Sequence, residues 1–403
     1  MAEIPFLPSP VHLPGANIKV VGVGGAGCNA LNRMIESGVM GVQFIAMNTD
    51  QQSLAQNKAE VRIPLGPKSR KGLGAGGNAE WGAVAAEESM DDILANLQGA
   101  DMVFITAGLG GGTGTGASPV VASCARELGA LTVSVVVTPF KYEGAGKLEK
   151  AQQGLDNLFN TADTVIVVSN QKLLSLCEQR VTVREAYRVA DSVLIQGVRG
   201  ITDLILRPGT LNGDFADVEA VLRNGGEALI GTGHGRGEEA ILDALQRALH
   251  SPLLERGATG PATNVIVSVM ADWDQVELAA VQTAMGFLSD HYLGAANIKL
   301  CTVEAPELED KVLVTVLASG FARMEPAFTP PRPLESADAQ VTPPVSTGRI
   351  YGEAPASTEL PPLTPTRLLP QQPPTPSGEM VNLADDLHVP AIIRLNQGRL
   401  PME

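Results

Sequence analysis

The sequence predicts an α/β protein in which a parallel sheet is followed by a long helix and then by a smaller α+β domain. Short β-branched runs alternate with alanine-rich or amphipathic stretches over about the first 180 residues, a pattern typical of a parallel sheet with helices on both faces. Apolar residues then recur at helical spacing. Mixed helical and strand-like segments follow until prolines dominate the chain.

The boundaries of these parts follow from the same patterns. Prolines deny the backbone of residues 1–16 regular hydrogen bonding, so we expect a disordered arm there. We assign 17–181 to the sheet domain, 182–207 to the long helix and 208–324 to the α+β domain. Strands of the sheet domain are predicted over 18–23, 42–47, 102–107, 131–138 and 164–168.

The long helix is the clearest single element. Ala186, Val189 and Val193 recur at helical spacing, and Pro208 with Gly209 ends the pattern. At about 1.5 Å per residue, some 25 residues span roughly 37 Å, which is enough to cross a domain. In the α+β domain, helices are predicted near 217–223, 238–249 and 273–288, and strands over 264–270, 298–303 and 312–318.

A surplus of acidic side chains disfavours generic nucleic-acid binding. The chain has 29 lysines and arginines against 44 aspartates and glutamates, a formal net charge of -15, which repels a phosphate backbone. It has neither a secretion signal nor a run of about 18 apolar residues, so we expect a cytoplasmic protein without membrane insertion. The scattered cysteines are expected to be buried thiols and no metal site is predicted; they are Cys28, Cys124, Cys177 and Cys301.

The composition changes sharply after the α+β domain. Half of the 28 prolines lie between Pro326 and Pro376, among polar residues. Such a segment cannot bury enough apolar surface to offset its ordering entropy, so we expect 325–386 to be a disordered linker. Residues 387–403 are expected to be a tethered partner-binding peptide, because the segment from Val389 to Arg394 combines apolar anchors with a basic residue, which suits docking in a groove.

A glycine-rich loop follows the first predicted strand. From Gly22 to Gly27 it matches GxGxxG and opens a helix, so its backbone N–H groups can approach a phosphate at the positive end of that helix. The motif also begins dinucleotide-binding folds, in which Asp50 at the end of the next strand would bind ribose. This loop alone leaves open an NAD(P)-dependent oxidoreductase.

A second glycine loop favours a di- or triphosphate. Glycine alternates with threonine from Gly110 to Gly116, GGGTGTG, after the strand at 102–107. Such a loop offers an anion a ring of amide donors and hydroxyls. The GxxxxGK[ST] sequence of the common P-loop is absent. This loop resembles the signature loop of the tubulin/FtsZ superfamily of GTPases, and a resemblance to the FtsZ branch covers about residues 16–325 and returns at the C-terminus.

The resemblance implies GTP and GDP as ligands, together with Mg²⁺. Lys147 stands where the family usually has Arg, Tyr187 replaces a stacking Phe, and Gly77 lies where Ala is usual. Asp191 can accept hydrogen bonds from guanine N1 and N2, which favours GTP over ATP; the alternatives are a solvated helix charge for Asp191 and a strand-end cap for Asn170. The implied nucleotide contacts are Gly25, Ala26, Gly27, Cys28, Asn29, Asn48, Ala75, Gly76, Gly77, Gly111, Gly112, Thr113, Gly114, Thr115, Glu143, Lys147, Asn170, Tyr187 and Asp191.

The resemblance places the catalytic residues after the long helix. Asn212, Asp214 and Asp217 match the loop that positions and polarises the attacking water in this family. The long helix is expected to hold this loop away from the glycine loops, so that one subunit cannot unite the two halves. Head-to-tail stacking would then build a filament in which one subunit completes the site of the next. The alternative for Asp214 is a helix cap.

The function implied is that of a bacterial cell-division GTPase. Such a protein is a cytoskeletal homopolymer that forms the cytokinetic ring at mid-cell, on the inner face of the membrane, and its tail binds membrane tethers and regulators. Two alternatives remain: an oxidoreductase built on the Gly22 loop, and a nucleotide-binding scaffold that polymerises but hydrolyses poorly because of the changes at Lys147 and Gly77.

Overall fold

The computed structural model describes residues 15–69, 71–174, 182–207, 209, 211, 213–237, 239–251, 262–291 and 297–321. The predicted linker and tail, most of the predicted N-terminal arm, Cys177 and Asn212 lie outside these residues. Cys28, Cys124 and Cys301 are buried free thiols, as predicted. No helix within the described segments is both long and apolar enough to cross a membrane.

Ten strands of the described residues form one sheet. In chain order they are β1 (Ile18–Val23), β2 (Val42–Asn48), β3 (Val61–Pro64), β4 (Met102–Gly108), β5 (Leu131–Thr138), β6 (Thr164–Ser169), β7 (Gly226–Arg236), β8 (Asn264–Ala271), β9 (Asn297–Glu304) and β10 (Lys311–Ser319). Their order in the sheet is β3-β2-β1-β4-β5-β6-β7-β10-β8-β9. The pairs from β3 to β7 are parallel, as is the pair of β8 and β9, whereas β10 is antiparallel to β7 and β8.

Eleven α-helices of the described residues connect and cover these strands. They are α1 (Gly24–Glu36), α2 (Gln51–Ala55), α3 (Ala79–Glu88), α4 (Met90–Leu97), α5 (Thr113–Glu127), α6 (Ala145–Thr161), α7 (Asn170–Leu174), α8 (Val183–Leu206), α9 (Phe215–Leu222), α10 (Ala240–Leu249) and α11 (Leu278–His291).

Apolar side chains cover both faces of the sheet. One buried cluster joins α1 and α8 to the first face, through residues such as Leu31 and Val193. A second joins α5 and α6 to the opposite face, through Val121 and Leu158. A third packs α10 and α11 on the strands of the α+β part, with Leu245 at its centre. The predicted arrangement of a parallel sheet between helices is confirmed.

The sequence analysis does not predict β3 and β7. Four residues make β3 too short to show a periodic pattern. Glycines interrupt the pattern of β7, because a Cβ at Gly233 or Gly235 would meet the backbone of α10 at Ala244 or Ala240. Glycine at these positions lets α10 lie close to the sheet. Since β7 pairs with both β6 and β10, the sheet continues from the first domain into the α+β part.

The long helix predicted over 182–207 is present as α8. Thr182 and Glu185 form a capping box at its start, in which each side chain accepts a hydrogen bond from the other residue's backbone N–H. The apolar residues at helical spacing, including Val189 and Val193, are buried against the sheet. Its 24 residues correspond to a length of about 36 Å.

The path of α8 joins the two edges of the parallel sheet. Near its start, the ring of Tyr187 contacts that of Phe140 edge to face, with centroids 5.2 Å apart, just after the end of β5. At its end, Leu206 packs beside Gly41, directly before β2 begins. The helix therefore runs from the carboxyl edge of the parallel strands to their amino edge.

The helix predicted over 273–288 is wrong at its start. A short 3-10 turn covers Trp273–Gln275, and α11 begins only at Leu278. Asp272 accepts a hydrogen bond from the backbone N–H of Asp274 at 3.3 Å, which closes a local turn. The indole of Trp273 donates to the carbonyl of Val303 at 3.1 Å, so this side chain is attached to β9.

Candidate functional site

The two glycine loops meet at the carboxyl edge of β1 and β4. Gly24, which begins α1, has a φ of +72°, a conformation that strains other residues. A Cβ on Gly24 would lie 2.8 Å from the amide nitrogen of Gly114. A Cβ on Gly108 would likewise lie 2.6 Å from the Cβ of Ala26. The two loops therefore form one continuous surface, which we call the cradle.

Two further segments complete the cradle. The segment at 72–78 packs over the second glycine loop, because a Cβ on Gly112 would lie 2.8 Å from the Cβ of Ala75 and 3.0 Å from the amide nitrogen of Asn78. The hydroxyls of Thr49 and Thr113 share a buried hydrogen bond of 2.6 Å, which attaches the end of β2 to the start of α5. Four segments that are far apart in the chain thus meet at one place.

The cradle presents backbone donors and carries no negative charge of its own at the helix starts. Helices α1 and α5 both begin here, and neither has an acidic residue in its first turn. The unpaired N–H groups of a first helical turn, at the positive end of the helix dipole, attract anions. Gly25 and Gly111 border open space, since a Cβ on either would meet no atom within 4 Å. This arrangement suits a chain of phosphates.

Glu143 and Lys147, two of the predicted nucleotide contacts, form an ion pair beside the cradle. The ammonium of Lys147 donates to Glu143 Oε2 at 2.9 Å, and Glu143 Oε1 accepts from the backbone N–H of Phe140 at 2.9 Å. Glu143 is mostly buried, with 14% of its side chain exposed. The carboxylate is thus held in one orientation, and its remaining lone pairs are the ones available to a ligand hydroxyl.

Three aromatic rings lie together at the start of α8. Phe140 stacks on Tyr142 with centroids 5.1 Å apart and meets Tyr187 edge to face. The hydroxyls of Tyr142 and Tyr187 lie 3.5 Å apart, and burial is the main cause that raises the pKa of Tyr187. Tyr187 remains 38% exposed, so one part of its ring is open to a planar ligand.

Asp191 lies one turn after Tyr187 on α8 and is half-buried, whereas Asn170, at the start of α7, is buried. Asp191 is paired with Arg33 at 2.7 Å, and only 14% of its side chain is exposed. Burial raises the pKa of Asp191 to about 6, although Arg33 opposes that shift. The interpretation of Asp191 as a solvated helix charge is therefore wrong. The side-chain oxygen of Asn170 is buried without a hydrogen-bond partner, which marks it as an acceptor that a ligand can satisfy.

The predicted catalytic loop is attached to β9. Leu211 N–H donates to the hydroxyl of Thr302 at 2.7 Å, and a Cβ on Gly213 would lie 2.6 Å from the sulfur of Cys301. Asp214 caps α9, because its carboxylate accepts from the N–H of Asp217 at 2.8 Å. The helix cap that we gave as the alternative role of Asp214 is thus present. The side chain of Asp214 is nevertheless exposed.

The catalytic loop and the cradle lie at opposite edges of the sheet. Leu206, which precedes the loop, lies beside the amino end of β2. At the far end of α9, Arg223 donates to the carbonyl of Gly129, before β5, and lies 3.9 Å from Asp163, before β6. The cradle is at the carboxyl ends of the same strands, about 20 Å away at roughly 3.3 Å per residue. Asp214 and Asp217 therefore do not reach the cradle of their own chain.

Comparison with known proteins identifies the family of the chain. A family model described as the tubulin/FtsZ family GTPase domain matches residues 17–178, and one described as the FtsZ family C-terminal domain matches 226–322. The solved structure of an FtsZ dimer from M. jannaschii has 41% sequence identity and a TM-score of 0.71, and the match covers 77% of this chain and 90% of that chain. The chain belongs to the tubulin/FtsZ family of GTPases.

Two more distant structures share the fold. A GTPgS-bound protofilament of CetZ2 from Haloferax volcanii has 22% identity and a TM-score of 0.61, covering 77% of this chain and 94% of that chain. A GDP-bound monomer of CetZ1 from the same organism has 18% identity and a TM-score of 0.66, covering 76% and 95%. Membership of the tubulin/FtsZ family gives no support to the oxidoreductase alternative.

Four contacts beside the predicted site residues are missing from the sequence analysis. Arg33 pairs with Asp191, and Tyr142 stacks on Phe140. Lys150, on α6, donates to the carbonyl of Gly77 at 2.7 Å and so attaches the segment at 72–78 to α6. Lys299, on β9, donates to Asp217. Each depends on which side chains the fold brings together, and spacing along the chain gives no signal for it.

Proposed function

We propose that this protein is a GTP-dependent self-assembling GTPase that hydrolyses GTP at the contact between neighbouring subunits. The observation that carries the proposal is the separation of the cradle from Asp214 and Asp217, at opposite edges of one sheet. A head-to-tail contact would place the catalytic loop of one subunit over the cradle of the next. Such a contact does not close on itself, so it generates a filament.

The chemistry is divided between the two subunits. Backbone amides of the cradle bind the phosphates and take up charge that develops on their oxygens. Asp214, Asp217 and Asn212 of the neighbour position and polarise the attacking water. Among the described residues no group of three or more histidine, cysteine, aspartate and glutamate side chains is placed to hold a metal. The Mg²⁺ that we expect would be held largely by phosphate oxygens and water, as is usual for this ion.

Guanine selection is assigned to the end of α8 near the aromatic rings. With a pKa of about 6, Asp191 is ionised at neutral pH and can accept from guanine N1 and N2. Asn170 offers its unpartnered oxygen on the same side, and Tyr187 offers a ring face for stacking. Adenine lacks the two donors that Asp191 would receive, so we expect GTP to be preferred over ATP.

The cellular role that we propose is assembly of the cytokinetic ring at mid-cell in bacteria. The peptide from Val389 to Arg394 would bind membrane tethers and regulators, and the linker at 325–386 would separate it from the filament. These assignments are supported by the resemblance of the tail to the family motif. Removing residues 387–403 should leave GTP hydrolysis unchanged while abolishing pulldown of tether proteins from cell extract.

A dilution series tests the shared site directly. Purified protein is mixed with GTP and Mg²⁺, and phosphate release per subunit and light scattering are recorded over a wide range of protein concentrations. We expect hydrolysis per subunit to fall steeply below the concentration at which scattering disappears. Hydrolysis per subunit that stays constant on dilution would contradict the proposal.

A further inference from the structure

Lys299 lies beside the predicted catalytic loop, far from the cradle, and its ammonium pairs with one of the two acids. Its ammonium donates to Asp217 Oδ1. The hydrogen bond to Asp217 raises the pKa of Lys299, and the charges of Asp217 and Asp214 act in the same direction, against desolvation. Lys299 therefore pairs directly with Asp217, although the two residues are 82 positions apart in the sequence.

A purely structural role is the first alternative for this lysine. Among the described strands β9 lies at the edge of the sheet, and lysine on an edge strand commonly guards against unwanted pairing. A guarding lysine, however, projects into solvent. Lys299 instead crosses to α9, and its side chain is 35% exposed while that of Asp217 is 28% exposed. Both side chains are therefore exposed enough to contact a neighbouring subunit. Their ion pair also holds the Asp217 carboxylate in one orientation.

The electrostatic consequence follows from the head-to-tail contact. Two carboxylates that approach a bound triphosphate bring like charges together, and this repulsion opposes assembly. The ammonium of Lys299, paired with Asp217, offsets one negative charge at the moment of docking. The ion pair also limits the rotation of the Asp217 side chain. Less conformational entropy is then lost when this carboxylate orients the attacking water.

We propose that Lys299 is a positioning residue for GTP hydrolysis, which orients the Asp217 carboxylate and offsets its charge when the catalytic loop docks on the triphosphate of the next subunit. This inference rests on the proposed shared site. It assigns a role in the reaction to a residue on β9, outside the loop that carries Asp214 and Asp217.

The test compares Lys299→Met, which keeps the apolar stem, with Lys299→Arg, which keeps the charge. Hydrolysis per subunit is measured with full-length protein well above the assembly threshold, and GTP binding is measured well below it. For Lys299→Met we expect roughly a tenfold loss of hydrolysis and a higher assembly threshold, with GTP affinity unchanged because the cradle is at the other edge. Lys299→Arg should recover most of both.

Salt and a double-mutant cycle separate charge compensation from packing. The difference in assembly threshold between wild type and Lys299→Met should shrink as salt rises from about 0.1 M to about 1 M, where the screening length falls from about 10 Å to about 3 Å. In an Asp217→Asn background, Lys299→Met should leave the assembly threshold unchanged. Lys311→Met is the control. It removes an exposed lysine at the start of β10, which lies at the opposite end of this part of the sheet from Lys299.

Three results would overturn the inference: wild-type hydrolysis in Lys299→Met, a loss in Lys299→Arg as large as in Lys299→Met, or an equal effect of Lys299→Met with and without Asp217. If Lys299→Met does not fold by circular dichroism, Lys299→Gln answers the same question. Failure of the shared site itself gives a different result, because wild-type hydrolysis per subunit would then be independent of dilution.

Discussion

The cradle and the catalytic loop solve different problems with different groups. The cradle is built from backbone amides on glycine-rich loops, locked by contacts such as the buried bond between Thr49 and Thr113. The catalytic loop relies on side-chain charges, Asp214 and Asp217 with Lys299, which are partly exposed. A binding surface can be complete within one chain. In the proposed shared site, Asp214 and Asp217 lie about 20 Å from the cradle of their own chain, so another molecule must bring such acids to the phosphates.

Removing a catalytic acid should give the largest effect and should separate the two regions most clearly. In Asp214→Asn the carboxylate charge is lost, but asparagine still caps α9. We expect hydrolysis to fall by roughly 100-fold or more, the scale seen when one group that stabilises charge in a transition state is removed. GTP affinity of isolated subunits should stay within about twofold of wild type. Equilibrium binding and phosphate release measure the two quantities.

Asp214→Ala is the companion variant. It should lose hydrolysis equally and also lose about 1 kcal/mol of stability, because the cap is removed as well. A large loss of GTP affinity in Asp214→Asn would break the division between the regions, since it would mean that the acid contributes to binding within its own chain.

A glycine in the cradle should give the opposite result. In Gly112→Ala the new methyl group would lie 2.8 Å from the Cβ of Ala75 and 3.0 Å from the backbone of Asn78, so the segment at 72–78 must shift. We expect GTP affinity to fall by about tenfold or more, the equivalent of about 1.4 kcal/mol. Calorimetric titration of isolated subunits with GTP measures this.

Gly146→Ala is the matched control for that variant. Gly146 lies on α6, and a Cβ there meets no atom within 4 Å. Alanine should therefore leave GTP affinity unchanged and slightly stabilise the helix. Equal losses in Gly112→Ala and Gly146→Ala would show that the close approach at Gly112 does not govern binding.

The smallest effect is expected from the titration of Asp191. Because its pKa is raised to about 6, acidification from about pH 7 to about pH 5 protonates the carboxyl and removes a charged acceptor for guanine. GTP affinity should fall by about tenfold or less over that range, in line with about 1 kcal/mol for a hydrogen bond. Asp191→Asn should bind GTP more weakly and with little dependence on pH.

Protonation of Asp191 should change the stability of the fold in the opposite direction to GTP affinity. The folded protein takes up a proton at Asp191 near pH 6, whereas an unfolded aspartate stays ionised until about pH 3.9. This residue therefore favours the folded state as the pH falls from about 6 to about 4.

Asp203→Asn, at the other end of α8, is the control for the pH profile of GTP binding. A pH profile of GTP binding that is the same in wild type and Asp191→Asn would remove Asp191 from guanine recognition.

Local patterns were sufficient for most of the fold. The β-branched runs of β1, β4 and β5 and the helical spacing of α8 are strong signals, and each element agrees with the structure to within a residue or two. β7 could not be predicted, because its glycines break the strand pattern. They are needed only because α10 packs closely against this strand, and that tertiary contact is not visible in the local sequence. The turn at Asp272 also depends on side-chain hydrogen bonds that compete with helix formation.

The site divides in the same way. The glycine loops could be found from their residue types and their position after predicted strands, whereas the acids after α8 were identified by the family resemblance and their catalytic role stays a prediction. The pairings of Asp191 with Arg33 and of Asp217 with Lys299 could not, since arginine and lysine are common and their partners lie on other elements. Which groups set the charge on a catalytic acid is decided by packing.

The junction between β6 and β7 has a mechanical consequence. These strands pair over three residues only, from Thr164 opposite Gly226 to Ile166 opposite Ala228, whereas β7 and β10 pair over nine. Ladder hydrogen bonds resist shear and bending, so the shortest ladder is the most compliant part of the sheet. In the proposed filament, we expect pulling or bending to lengthen the bonds along this short ladder first, while α8 keeps the two halves of each subunit attached.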